Sequence, residues 1–375
     1  MKTPILLTTL LAASSALAGS ASVSSTDTAS ESNDLLTSLW DLPTIYKGDG
    51  FLREARFIGR LHADVYEIDS AQGHQQDWEL RRFRVGTRLK FAGGLEFKTE
   101  VQLNPQASDP AYERISELYL SWKQSESFNL KIGKFAAEFT HDGRISSNNL
   151  QTLERNQLTN SFWATTRFFS GVAANGQLGK WSYNVGVFSN DVDKEFGNFD
   201  ASWFGVLGLG YDISAPLGAK KAVINLDYFY QDVDPAAVNI RPFEHVGSLN
   251  LNADYGSWGF ATDLAGGIGK LSQSDGWGAM GQVWYQFTDK LEGIARYTHV
   301  EGSDPDSLRF GRYESRIVSG KGDRYDEAYL GLNYYIYGHK LKLQSGWTYA
   351  SMDDSAGNGG EYDGWAWTTG LRMSW

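Results

Sequence analysis

The residues of this chain best suited to chemistry are cations spaced two apart. Between Trp78 and Leu103 the sequence places Arg82, Arg84, Arg88 and Lys90 on one parity, and Phe83, Val85, Leu89 and Phe91 on the other. After an Ala-Gly-Gly break, Glu96, Lys98, Glu100 and Gln102 oppose Leu95, Phe97, Val101 and Leu103. A row of guanidinium and ammonium groups attracts anions and lowers the cost of stripping their water. It forms no covalent bond. No catalytic constellation competes with it. The six histidines, His62, His74, His141, His245, His299 and His339, lack metal-ligand spacing, and there is no G-x-S-x-G element, P-loop or dinucleotide fingerprint. A barrel hydrolase would need a serine beside a histidine on the outer face, for which Ser248 and Ser345 are the candidates. The reading is therefore of a non-enzyme that uses no metal or cofactor.

A period of two over such a length requires β-strands with one polar and one apolar face. The polar face is too charged for the core of a sandwich, so it is expected to face water while the apolar face meets lipid. Sixteen strand candidates follow from Phe57 onward: roughly 57–66, 78–91, 95–103, 114–124, 128–135, 166–177, 180–190, 202–213, 220–231, 244–255, 258–268, 276–287, 290–300, 327–337, 340–351 and 362–375. Connections after odd-numbered candidates are read as long (67–77, 104–113, 136–165, 191–201, 232–243, 269–275, 301–326 and 352–361), and those after even-numbered ones as short. That segregation, the even strand count and both termini on the short-turn side predict an all-β, antiparallel transmembrane β-barrel of about 16 strands with short periplasmic turns. Trp181, Tyr211, Tyr255, Trp258, Phe287 and Tyr337 cluster beside the short turns, as an interfacial girdle would. The last strand, with Trp365, Trp367, Leu371, Met373 and a terminal Trp375, suits recognition by barrel-assembly machinery.

Residues 1–18 read as a secretory signal, with Lys2, the apolar run Ile5–Ala13 and the small-x-small site Ala16-Leu17-Ala18. Residues 19–45 read as a flexible linker, in which Leu35, Leu36, Leu39 and Trp40 offer one amphipathic turn; residues 46–375 read as the barrel. The absence of cysteine rules out a disulfide scaffold. A formal charge of −11 argues against nucleic acid as a partner. These features place the mature chain in the outer membrane of a Gram-negative cell, with lipid and lipopolysaccharide as surroundings.

Three passages resemble the phosphate-selective porin O and P family. They are RRFRVGTRLKF with LEFKTEVQL (81–103), LYLSW…FNLKIGKF…ISSNNLQTLERNQLTNSF (118–162), and YLGLNYYIYGHKLKLQSGWTY (329–349). The resemblance implies a trimeric, sixteen-stranded porin with a basic lumen and a third loop folded inward as a constriction. It matches Arg82, Arg84 and Arg88 to the family's basic strand, and Glu154 and Arg155 to its third-loop pair.

By alternation, Arg60, Arg82, Arg84, Arg88, Lys90, Lys98, Lys342 and Arg372 point inward on one wall against Asp64, Glu96 and Glu100, and Lys131 extends that wall. The excess acid falls in outer loops: Asp191, Asp193, Glu195 and Asp200; Asp232 and Asp234; Asp353, Asp354, Glu361 and Asp363. These acids are read as solvated or as bridged to lipopolysaccharide by divalent cations. Loop three is expected to hold a helix from Asn149 to Leu158, capped by Ser146, Ser147 or Asn148, with Leu150, Leu153 and Leu158 on the wall and Arg144 and Arg155 facing the pore. Loop seven, with Arg309, Arg312, Arg316, Lys321 and Arg324, reads either as an anion-gathering lid or as a trimer contact or surface loop. The function expected is passive diffusion of small anions, phosphate or polyphosphate among them. A weakly selective general porin and a plugged structural or adhesive barrel are the alternatives.

Overall fold

The computed structural model of the chain describes residues 35–107, 110–163, 168–191, 195–199, 202–232 and 241–375. The signal and most of the linker expected at residues 1–34 lie outside these, as do Asp193, Asp200 and Asp234. Residues 35–41 are helical, and form part of a unit distinct from Pro43–Trp375. Among the described residues no helix is long and apolar enough to cross a membrane.

The second unit opens with a short strand, β1 (Thr44–Lys47). Sixteen barrel strands follow: β2 (Leu52–Ser70), β3 (Gly73–Phe91), β4 (Leu95–Leu103), β5 (Tyr112–Ser125), β6 (Phe128–Phe135), β7 (Phe169–Leu178), β8 (Trp181–Ser189), β9 (Trp203–Asp212), β10 (Lys221–Gln231), β11 (Phe243–Asp254), β12 (Trp258–Gly269), β13 (Gly276–Gln286), β14 (Leu291–Gly302), β15 (Arg324–Tyr337), β16 (Leu341–Asp353) and β17 (Tyr362–Ser374). Each pairs antiparallel with the next, and β17 closes on β2, from Gly364 opposite Ser70 to Ser374 opposite Arg60. Closure removes the sheet edges that lipid could not satisfy. Below the end of β17, β1 takes over the edge of β2, with Thr44 opposite Arg56.

Outward positions are apolar and exposed, among them Leu226, Leu264, Val283, Leu330, Leu332 and Trp347. Aromatic pairs sit beside the short turns, with Tyr255 stacked on Trp258 at a centroid separation of 4.4 Å and Trp181 against Tyr211 at 4.6 Å. In the turn after β3, Gly93 and Gly94 have φ of 75° and 77°, and a Cβ on Gly94 would lie 2.1 Å from the Lys123 carbonyl oxygen. Only glycine meets both demands.

The structure corrects the first loop. The polar stretch 67–77 is not a loop: β2 and β3 continue as 19-residue strands joined through Ala71 and Gln72. Elsewhere the segregation has one further exception, since 213–220 on the short-turn side carries a helical turn (Ser214–Leu217) and is longer than 270–275 on the other side; residues 136–168 and 303–323 form the longest connections, both on the long-loop side.

The barrel interior is filled unevenly. Inward aromatic residues of β7 to β11, namely Phe169, Phe188, Phe204, Phe229 and Phe243, pack with Phe139, Phe162 and Trp163 of loop three. Trp163 lies 5.1 Å from Phe139, 5.4 Å from Phe229 and 5.8 Å from Phe204, centroid to centroid. Such contacts add to the area they bury. They fix one end of loop three to one wall and leave the opposite wall to the charged residues.

Candidate functional site: a two-chambered lumen

Loop three crosses the lumen and is tied to the wall strand by strand. Its helix is Gln157–Phe162, not 149–158, and its cap is Asn156, whose side chain accepts a bond from the Thr159 amide at 2.7 Å. Ser146, Ser147 and Asn148 cap nothing here; Ser147 instead accepts from Arg60 at 2.9 Å and Asn148 lies 3.2 Å from His62. Leu150, Leu153 and Leu158 are buried, as the packing argument expected. Lys342 donates to the Leu150 carbonyl at 2.6 Å, Asn333 to that of Gln151 at 2.8 Å, and Arg296 to that of Glu154 at 3.2 Å. The backbone carbonyls of the non-helical stretch thus find donors on β14, β15 and β16.

What remains open divides into two chambers. The outer one, of about 530 Å³, is lined by Arg60, Arg81, Arg82, Arg84, Lys98, Arg114, Lys131, Arg144, Arg155 and Arg312 against Glu79, Glu113, Glu117 and Glu138. The one nearer the short turns, of about 680 Å³, has Lys90, Lys123 and Arg144 against Glu96, Glu126 and Glu138. Glu138 and Arg144 line both, and so mark the waist between them. The basic excess is confined to the outer chamber.

Within that chamber most cations are held rather than free. Arg60 donates to Glu100 at 2.9 Å, and Arg84 to the other oxygen of Glu100 at 3.2 Å, so one carboxylate serves two guanidinium groups. Arg84 also lies 4.9 Å from the Phe168 ring, and Lys131 sits 4.7 Å from Tyr119 and 5.0 Å from Phe135. Arg82 lies 3.4 Å from His62, and Lys98 pairs with Glu117. Arg144 reaches across to β10, where it pairs with Asp227 and donates to Asn225 at 3.3 Å. Arg155 donates to the carbonyls of Asp142 and Ile145 at 2.9 and 2.6 Å, stitching loop three to itself.

Five of the charged residues expected at the pore lie outside the lining of the outer chamber. Lys90 lines the lower chamber, and Arg88 lines neither; both share Glu54, at 3.5 and 3.2 Å. Glu154 does not face either chamber but accepts from Arg81, Nη2 to Oε2 at 2.9 Å. Burial opposes ionisation of Glu154, but the Arg81 guanidinium outweighs it and holds the carboxyl well below the usual range. Lys342 and Arg372 are inward, yet both are sealed behind loop three, Lys342 on Leu150 and Arg372 on Asp64. Strand parity tells inside from outside, but not which side of an infolded loop a residue occupies.

Arg81 is the residue that periodicity missed. By parity it belongs with Phe83 on the lipid face. The pairing of β2 with β3 slips between His62 and Ala63: His62 faces Arg82, Ala63 faces Leu80, and Arg81 is left over as a bulge. The bulge turns Arg81 inward beside Arg82. The signal was present, because an arginine on a lipid-facing position is expensive enough to suggest a break in the alternation.

Loop seven folds inward. Leu308, Phe310, Tyr313 and Val318 are buried, and Arg312 and Arg316 both pair with Glu79 of β3 at 2.5 Å. This sets aside the surface-loop reading. Glu314 within the loop accepts from Tyr325 at 2.9 Å, and burial pushes its carboxyl up to about 7. Ser248 and Ser345 bond to Asp263 and Thr369, each at 2.7 Å, rather than to a histidine.

Comparison with known proteins agrees with this geometry. The structure is similar to an anion-selective porin from Comamonas acidovorans (13% identity, covering 86% of this chain and 99% of that one, TM-score 0.61). It is also similar to Pseudomonas putida OprB at high pH (11% identity, 86% and 94%, TM-score 0.59) and to the outer membrane channel DcaP of Acinetobacter baumannii (13% identity, 88% and 99%, TM-score 0.56). At such identities the likeness is one of fold. No curated protein matches the chain. Residues 56–218, which hold β3 and loop three, match the model of the family of phosphate-selective porins O and P, and the chain has the closed sixteen-stranded barrel fold of outer-membrane porins.

Proposed function

We propose that the protein is a passive diffusion channel that prefers small anions, phosphate and polyphosphate among them. The observation that carries the reading is the composition of the outer chamber, where ten basic side chains face four acidic ones. A narrow, water-poor passage amplifies such an imbalance, because charges act there at a lower effective dielectric than in bulk water. Arg82 and Arg84, supported by Arg60, Arg81, Lys98 and Lys131, replace part of an anion's hydration, and Arg144 and Arg155 place loop three at the waist. Arg88 and Lys90 act at most from the lower end. The net acidity of the chain does not oppose this, since acids such as Asp353, Asp354 and Glu361 lie at the long-loop rim and act locally.

Around the barrel the exposed apolar belt fits outer-membrane lipid and lipopolysaccharide, β17 fits recognition by assembly machinery, and a homotrimer fits the family. Liposome swelling tests the transport reading. Vesicles carrying the protein should swell faster in a small organic anion than in a cation or neutral sugar of the same size. Equal rates would favour the general porin, and no swelling the plugged barrel.

A further inference from the structure

The waist has the opposite electrostatic character to the chamber above it. Two charged residues line both chambers, Arg144 and Glu138. Arg144 is neutralised by Asp227 and fixed by Asn225 and by the Thr140 carbonyl at 3.1 Å. Glu138 has an exposed side chain, and among the described residues its carboxylate has no ion-pair partner. Its backbone is pinned, because its carbonyl accepts from Asn184 of β8 at 3.5 Å. A solute therefore meets a basic basin, then one uncompensated carboxylate, then a vestibule in which Lys90 and Lys123 balance Glu96 and Glu126.

We infer that Glu138 is the specificity-determining residue of this pore: it limits the preference for anions and sorts them by valence. The inference rests on the anion-channel reading above. Attraction to the outer chamber and repulsion at Glu138 both scale with the charge of the solute. A monovalent anion finds a shallow well and a low barrier. A polyvalent anion finds a deep well followed by a high barrier, so it is retained above the waist and obstructs the flow of smaller ions. The residue has no counterpart in the alternation argument, because it lies three residues past the end of β6 in a stretch without periodicity.

The test uses the purified full-length protein in planar bilayers under a KCl gradient, comparing wild type, Glu138→Gln, Glu138→Ala and Glu138→Asp. Loss of the charge should raise the chloride-to-potassium permeability ratio by about three- to ten-fold, the size expected for one unit charge a few ångströms from the ion path. Glu138→Asp should retain the wild-type ratio. Inorganic pyrophosphate added on the long-loop side should block chloride current through wild type and block it less through Glu138→Gln. Asp289→Asn, which removes an exposed acid of the short turn between β13 and β14 and lines neither chamber, should change neither. An unchanged ratio and unchanged block in both Glu138→Gln and Glu138→Ala would overturn the assignment. A cation-preferring wild type would instead overturn the anion-channel reading, while the shift on neutralising Glu138 would still decide the role of that residue.

Discussion

Arg81 of the β3 bulge and Glu154 of loop three face each other in a bidentate pair, Nη2 to Oε2 at 2.9 Å. The bulge exists in the wall and the carboxylate in the infolded loop, so the pair fixes the height at which loop three crosses the lumen. A guanidinium fork and a carboxylate match geometrically, which gives this tie direction as well as strength.

Removing one partner leaves the other buried and uncompensated. Glu154→Gln should cost about 3 kcal/mol of barrel stability, in the range for breaking a buried pair. The double variant Arg81→Met, Glu154→Leu should recover part of that loss. Urea unfolding in detergent micelles, run as a double-mutant cycle, measures both.

Selectivity should divide along the chamber boundary. Arg82→Gln with Arg84→Gln should lower the anion-to-cation permeability ratio several-fold, since both line the outer chamber. Arg88→Gln, whose side chain lines neither chamber and is shared with Glu54, should leave it nearly unchanged. Reversal potentials for each variant check this; an Arg88 effect as large as that of Arg84 would contradict the chamber assignment.

Loop seven should respond to pH through Glu314. Burial pushes this carboxyl up from about 4.5 to about 7, with Glu327, Tyr325, Tyr313 and Tyr362 around it. The neutral acid is the form the docked loop favours. Its contribution is therefore complete below about pH 4.5 and is lost as the pH rises through about 7. Hydrogen exchange of residues 303–323 should accelerate over that window, and Glu314→Gln should flatten the dependence.

The aromatic anchor sets the other end of loop three. Trp163→Ala removes a ring packed on Phe139, Phe204 and Phe229, and should cost about 3–5 kcal/mol. The loop should then fluctuate, and single-channel recordings should show added current noise before the barrel itself unfolds.

How much of this was legible in the sequence depends on which physical signal each residue left. The strands were legible because lipid outside and water inside impose strict alternation; β4 and β6 begin and end where the pattern does. The β2–β3 tip was not, because Glu67, Asp69, His74 and Gln76 extend the strands beyond the apolar belt, where alternation no longer separates lipid from water. In loop three Leu150, Leu153 and Leu158 correctly marked burial, but their spacing suggested a helix that the wall's donors replace with an irregular path. Lys342 and Arg372 were correctly inward, yet their final partners belong to loop three and to Asp64, and no local pattern encodes such distant contacts. Arg81 could be found only by asking why an arginine stood on the lipid parity.

The central claim is that the outer chamber makes the pore prefer anions. The reversal potential of the wild-type channel in a planar bilayer, with a tenfold KCl gradient at about 0.1 M and below, where screening is weak, tests it most directly. The sign should show chloride more permeant than potassium, and the preference should weaken as salt is raised. A potential of the opposite sign, or one of zero at every salt concentration, would contradict it.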